Sequence, residues 1–278
     1  MFGVFFASLG TFFEEVATVV GKKEILKHEE SPFTMGFFNL IWGVIFLCFL
    51  VLIQKTDFVF SQASVPTFLV RVVFEMLQAY ATVLAIAGAD RSTTSFVRVG
   101  TIPLLLAVDT LLGYSLQMPQ LVGIGIVLVA ILFVMYSRST NKQGVGLVLF
   151  TTVNAVITIS LYKYNITHFN SVAGEQIPMG ILLLLFMFGM AHFVGKENPI
   201  KMLRKGIFMG QSVAMGFGSI LESFAYVFAP ASVILAAKRS SAVLWSVLSG
   251  NHYFHERHMA AKLAVVLVLI AGIVFLAA

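Results

Sequence analysis

The chain has 278 residues, of which 59% are hydrophobic and 11% charged, with mean hydropathy +0.94 and net charge +5. Soluble domains carry about a quarter charged residues, so this composition excludes an ordinary soluble domain and a long disordered tail. The single Cys48 excludes an internal disulfide, and the basic residues punctuate apolar runs as membrane topology requires, which argues against nucleic-acid binding.

Apolar runs of about twenty residues, enough to cross ~30 Å of hydrocarbon, recur from end to end. Taken in chain order they predict ten transmembrane helices, at approximately 2–21, 33–53, 65–88, 92–115, 119–137, 144–164, 172–194, 206–228, 231–250 and 260–277. The first has no basic leader and no small-residue cleavage site before Lys22, so it reads as a retained span and not a signal peptide. Connections are short, so neighbouring helices are expected to run antiparallel. Gly206-x3-Gly210 opens the eighth span and reads as a close-packing face.

The ten spans divide near Asn141 into two groups of five, residues 1–140 and 141–278. Shifted by 140, Ala85, Ala89, Ser92 and Arg98 fall on Ala225, Ala229, Ser232 and Lys238, with Ser31/Ser171 and Lys23/Lys163 at the same offset. Five is odd, so the halves are expected in opposite orientation, the inverted arrangement that places a solute site near the midplane. Loops after the odd-numbered spans carry most Lys and Arg, including Lys22, Lys23, Arg138, Lys201 and Arg204, against Lys55 and Lys163 on the other side. This count places both termini outside.

Nine ionisable residues inside the spans are singled out: Glu14, Glu15, Arg71, Glu75, Arg98, Asp109, Glu222, Lys238 and Arg239. Each costs ~2.5–3.5 kcal/mol at the centre of a lone helix, so such residues face a bundle interior or a wet cavity. Arg98 alone fits a snorkelling anchor, being roughly 9 Å into its span. Lys238 and Arg239 point about 100° apart on a helix, so at least one is expected to face protein or solute. Arg71 and Glu75, four apart, are expected to pair with each other. Glu14, Glu75 and Asp109 are candidates for proton coupling or ion pairing. The expected solute ligands are Arg98, Lys238 and Arg239, whose cations suit a carboxylate or phosphate, with Glu15, Glu222 and Tyr226 beside them.

The stretch "AYVFAPASVILAAKRSSAVLWSVLSGNHYFHERHMAAKLAVVLVLIAGIVFLA" resembles the last three helices of the drug/metabolite transporter superfamily, EamA-type branch, with His255 where that pattern has glycine. The first half repeats the pattern more faintly around Leu112-Gly113, with Tyr114-Ser115 in place of Glu-Arg. The resemblance implies an all-α, ten-helix inverted-repeat carrier of small metabolites working by alternating access, set in a prokaryotic plasma membrane. Lys238-Arg239 is also similar to a Lys-Arg pair of the sugar-phosphate translocator branch, which meets substrate phosphate. Family members carry both termini in the cytoplasm, opposite to the charge count.

The expected function is therefore secondary transport of a small polar, anionic metabolite, as a monomer or homodimer, without cofactor, metal or catalysis. The alternative is a proton-coupled exporter of cationic or amphipathic drugs that uses the membrane carboxylates. A non-transporting scaffold is a third reading. His252-x2-His255-x2-His258 does not stack on one helical face and reads as an interfacial turn, not a zinc site. No G-x-S-x-G or HExxH pattern points to an enzyme.

Overall fold

The structure is a computed structural model that describes residues 2–54, 58–90, 94, 97–98, 100–113, 117–136, 144–254, 267–268, 271–272 and 275. The described residues form helices and connecting turns, with no strand among them. In chain order the α-helices are α1 (Phe2–Leu26), α2 (Pro32–Gln54), α3 (Val65–Gly88), α4 (Thr101–Leu111), α5 (Met118–Tyr136), α6 (Val145–His168), α7 (Val172–Phe193), α8 (Pro199–Met202), α9 (Gly206–Phe228) and α10 (Ala231–Phe254). A 3-10 turn, Gln62–Ser64, leads into α3. Segments in α1, α2, α3, α6, α7 and α10 are long and apolar enough to cross a bilayer, as an α-helical membrane protein requires. The predicted tenth span and the residues His255, Glu256 and His258 lie largely or wholly outside the described residues.

The chain marks several helix starts. Ser171 caps α7, its hydroxyl accepting from Gly174 N at 3.0 Å, and Asn198 caps α8 in the same way. Pro66 stands in the first turn of α3, where its missing N–H costs nothing. Helix α1 runs to Leu26, past the predicted end at 21. The extra turn is supported by Lys22, whose ammonium donates to Ala89 O at 2.5 Å, so that the charge stays inside the bundle.

This arrangement corrects two assignments. Lys22 and Lys163, counted among the loop cations, are inside α1 and α6 and buried. Each donates to carbonyls where another helix ends: Lys22 to Ala89 after α3, Lys163 to Tyr226 and Ala229 at the end of α9. Unpaired carbonyls at a helix C-terminus attract cations, which accounts for both placements. The Gly206-x3-Gly210 face, expected to pack within the monomer in preference to a dimer seam, is the second correction, because among the described residues nothing lies within 4 Å of a Cβ at either glycine. The close crossing is instead that of α1 on α9: a Cβ at Gly10 would lie 2.8 Å from Gly218 O, and one at Gly218 would lie 2.7 Å from Gly10 O.

Helix α2 fills the groove between α9 and α7, α3 packs on α6, and α10 packs on α1 and α4. One apolar core joins α1, α4, α6, α9 and α10 around Ala7, Ile102, Tyr162, Ala225 and Ile234. A second joins α2, α3, α7 and α9 around Met35, Phe38, Val83, Met187 and Phe208. Large apolar side chains such as Phe5, Leu52, Leu69, Leu185 and Phe193 point outward, as a lipid-facing surface does.

Candidate functional site

Between these two cores lies a cavity of about 410 Å³. Eight of the nine ionisable residues singled out from the sequence line it: Glu14, Glu15, Arg71, Glu75, Arg98, Glu222, Lys238 and Arg239. Tyr226 lines it as well. Asp109 stands apart, accepting from Ser232 N at 2.8 Å at the first turn of α10. A carboxylate there satisfies an orphan amide and complements the positive end of the helix.

Helices α1, α9 and α10 assemble the most charged wall. Lys238 Nζ lies 3.0 Å from Glu14 Oε2 and is also paired with Glu222. One ammonium thus bridges two carboxylates from different helices. Gly218 makes room for this bridge, since a Cβ there would lie 2.7 Å from Glu14 Cγ. Arg239, the next residue, supplies the second positive charge, so the four groups are formally neutral when both acids are ionised.

Arg239 is only 8% exposed, and its Nε is buried with no hydrogen-bond partner. Tyr226 OH is likewise buried and unpartnered, its ring packed edge-on against Tyr162 at 5.8 Å. Tyr162 in turn donates to Ser223 O at 3.1 Å, which fixes the pair of rings. Two N–H or O–H donors are therefore left over beside the cavity. Unmade buried hydrogen bonds cost roughly 1–3 kcal/mol each, a cost that a ligand recovers when the lining side chains turn to let it accept from them.

The other wall is more fully satisfied. Arg98 donates from Nη2 to Thr82 Oγ1 at 2.8 Å and from Nε to Thr151 Oγ1 at 3.4 Å. On the first wall, between α1 and α10, Glu15 accepts from Ser249 Oγ at 2.6 Å. The expected Arg71–Glu75 pair forms, at 3.1 Å, but Arg71 makes a shorter bond, 2.8 Å, to Glu175.

Glu175 was missed in reading the sequence, although it falls inside the predicted seventh span. It is fully buried and also accepts from Asn165 at 2.9 Å and Asn170 at 2.5 Å, tying α6 and α7 to the start of α3. Its signal was available: an acid in the first turn of an apolar helix. Asn39, Gln78 and Gln176 also line the cavity, and uncharged amides in apolar runs left no comparable signal.

No family model matches this chain, and no curated protein matches it.

Proposed function

We propose that the chain is a secondary transporter of the drug/metabolite type that carries a small, polar, anionic metabolite through this cavity by alternating access. The observation that carries the reading is the pair of unpartnered buried donors, Arg239 Nε and Tyr226 OH, at the wall of a cavity inside an apolar helical bundle. A guanidinium with a free edge suits a planar carboxylate or a phosphate, and a phenol adds a second donor. Lys238 has a different role in this reading. It neutralises Glu14 and Glu222, and Arg239 is left to hold the anion.

The proposed inverted repeat is supported by reciprocal contacts. Helix α1 packs on α9 as α6 packs on α3. Lys22 meets the end of α3 as Lys163 meets the end of α9, and the accepting residues Ala89 and Ala229 are 140 apart. Ser31 N donates to Glu197 after α7, while Ser171 N donates to Val59 after α2. Such pairs are what a two-fold axis in the membrane plane produces. The cation-exporter alternative is less favoured, because a cation reaching Glu14 and Glu222 has to displace the tethered Lys238.

The test uses purified protein in detergent and in proteoliposomes. Organic carboxylates and phosphate esters are screened for a rise in melting temperature, because a ligand that binds only the folded state stabilises it. The hits are then tested for uptake. Arg239→Gln and Tyr226→Phe are expected to abolish or strongly weaken both responses. Full retention of both in Arg239→Gln removes the residue from the site and the anion from the reading.

A further inference from the structure

A second set of buried groups, not part of the cavity lining, lies where α1 turns into α2 against the start of α9. Glu30 is 3% exposed and Gln211 1% exposed. Gln211 Nε2 donates to Glu30 Oε1 at 3.3 Å. The remaining oxygens, Glu30 Oε2 and Gln211 Oε1, are buried and have no hydrogen-bond partner. The pair therefore holds two idle acceptors and no donor for them. A carboxylic acid and a primary amide make a closed ring of two hydrogen bonds, N–H to carboxyl oxygen and O–H to amide oxygen. That ring needs one proton on the acid. Reversing the amide only changes which carboxyl oxygen the amide oxygen faces, and the proton is still required.

The surroundings disfavour a charge. The charged groups that act on Glu30 are Glu197 and Glu24, both acids. Glu24 is paired with Lys27 at 2.7 Å, while Glu197 accepts from Ser31 N at 3.0 Å and from Thr34 Oγ1. Glu29 is paired with Lys205 on the exposed side, and His28 is exposed. Lys22 is turned toward Ala89 O and Lys23 lies over the Tyr253 ring, 3.6 Å from its centroid. Among the described residues no contact brings a cation to Glu30, and burial, with those two acids, raises its carboxyl to about 8 despite the Gln211 hydrogen bond.

We propose that Glu30 is a proton-binding site: the protonated acid and Gln211 form a closed hydrogen-bonded pair that latches the α1–α2 turn onto α9, and loss of the proton loosens this end of the bundle. On the repeat offset of 140, Gln211 corresponds to Arg71, which sits at the opposite end among Glu75 and Glu175. One end is fastened by a permanent cation and the other by a titratable acid. The latch makes a carrier of the kind proposed above sensitive to pH at one face of the membrane only. That last step rests on the transport reading, whereas the proton site itself does not.

The experiment reads the latch without transport. In a Cys48→Ser background, Ser212→Cys places a thiol on α9 beside Gln211, at a site where the serine is buried and donates to Phe38 O at 2.6 Å. Maleimide labelling is compared with and without Glu30→Gln, which keeps a permanently neutral amide pair. Labelling is expected to be equal in the two at about pH 6, and at about pH 9.5 several-fold faster in the protein that keeps Glu30 than in Glu30→Gln. The comparison at one pH cancels the thiol's own ionisation. Infrared spectra of the unmodified protein provide a second readout: a protonated-carboxyl stretch that is lost at high pH and absent in Glu30→Gln. Equal labelling in the two backgrounds, or no such band, overturns the latch and leaves the carrier reading intact. A latch that responds in a protein with no measurable flux leaves the latch and removes the carrier.

Discussion

At the scale of single residues, the site depends on who neutralises whom. Among the described residues, Lys238 is the one ion-pair partner of Glu14 and of Glu222. Removing one member of a partly buried ion pair costs about 3 kcal/mol, most of it the penalty of leaving charge unpaired. Lys238→Met is therefore expected to lower the melting temperature in detergent by several degrees. Adding Glu14→Gln and Glu222→Gln should recover much of the loss, a non-additivity that a mutant cycle detects. If the single and triple variants are equally destabilised, the bridge is not what Lys238 contributes.

Glu30 gives a pH prediction whose sign follows from linkage. Its carboxyl titrates near 8 in the folded protein against an ordinary 4.5, so the folded state holds the proton more tightly than the unfolded chain does. The group's contribution to stability is complete below about 4.5, declines as pH rises, and is gone above about 8. Melting temperature across that window should fall more steeply in the native protein than in Glu30→Gln. Parallel curves contradict the assignment.

Among elements, the crossing of α1 on α9 is a contact with little slack. The atoms that a new Cβ would strike are backbone oxygens, which cannot swing away as a side-chain tip can. Gly218→Ala and Gly10→Ala should each cost roughly 1–3 kcal/mol, whereas Gly210→Ala, facing open space, should be close to neutral. Thermal denaturation of the three variants checks the order. The same comparison shows what was readable beforehand. Helix α3 spans 65–88 and α9 spans 206–228, as apolar length and polar punctuation predict, because helix ends in lipid are set by where charge must stop. That rule fails where a charge finds a partner inside, as Lys22 and Lys163 do. The cavity-lining ions were legible one by one, since each is an expensive residue in an apolar run. Their partners were not: Glu175 with Arg71, or Gln211 with Glu30, are 104 and 181 residues apart, and only the packing of α2, α7 and α9 brings them together. Which glycine pair carries a close crossing depends on the same long-range packing.

For the molecule as a whole, the two polar clusters predict ends that respond differently to pH. The Arg71 cluster is built on a guanidinium that pairs with Glu75 and Glu175, with Glu175 held by Asn165 and Asn170 as well. The Glu30 cluster depends on one removable proton. Hydrogen exchange followed by mass spectrometry resolves the two. At about pH 9.5, peptides covering 27–38 and 205–212 should exchange faster in the native protein than in Glu30→Gln. Peptides covering 62–72 and 165–176 should match between the two. Comparing proteins at a single pH removes the chemical dependence of exchange on hydroxide, so any remaining difference reports packing. A difference confined to the Glu30 end fits a carrier with unlike fastenings at its two faces. A difference spread over both ends would mean that the proton acts on global stability, and one-sided control would have to be abandoned.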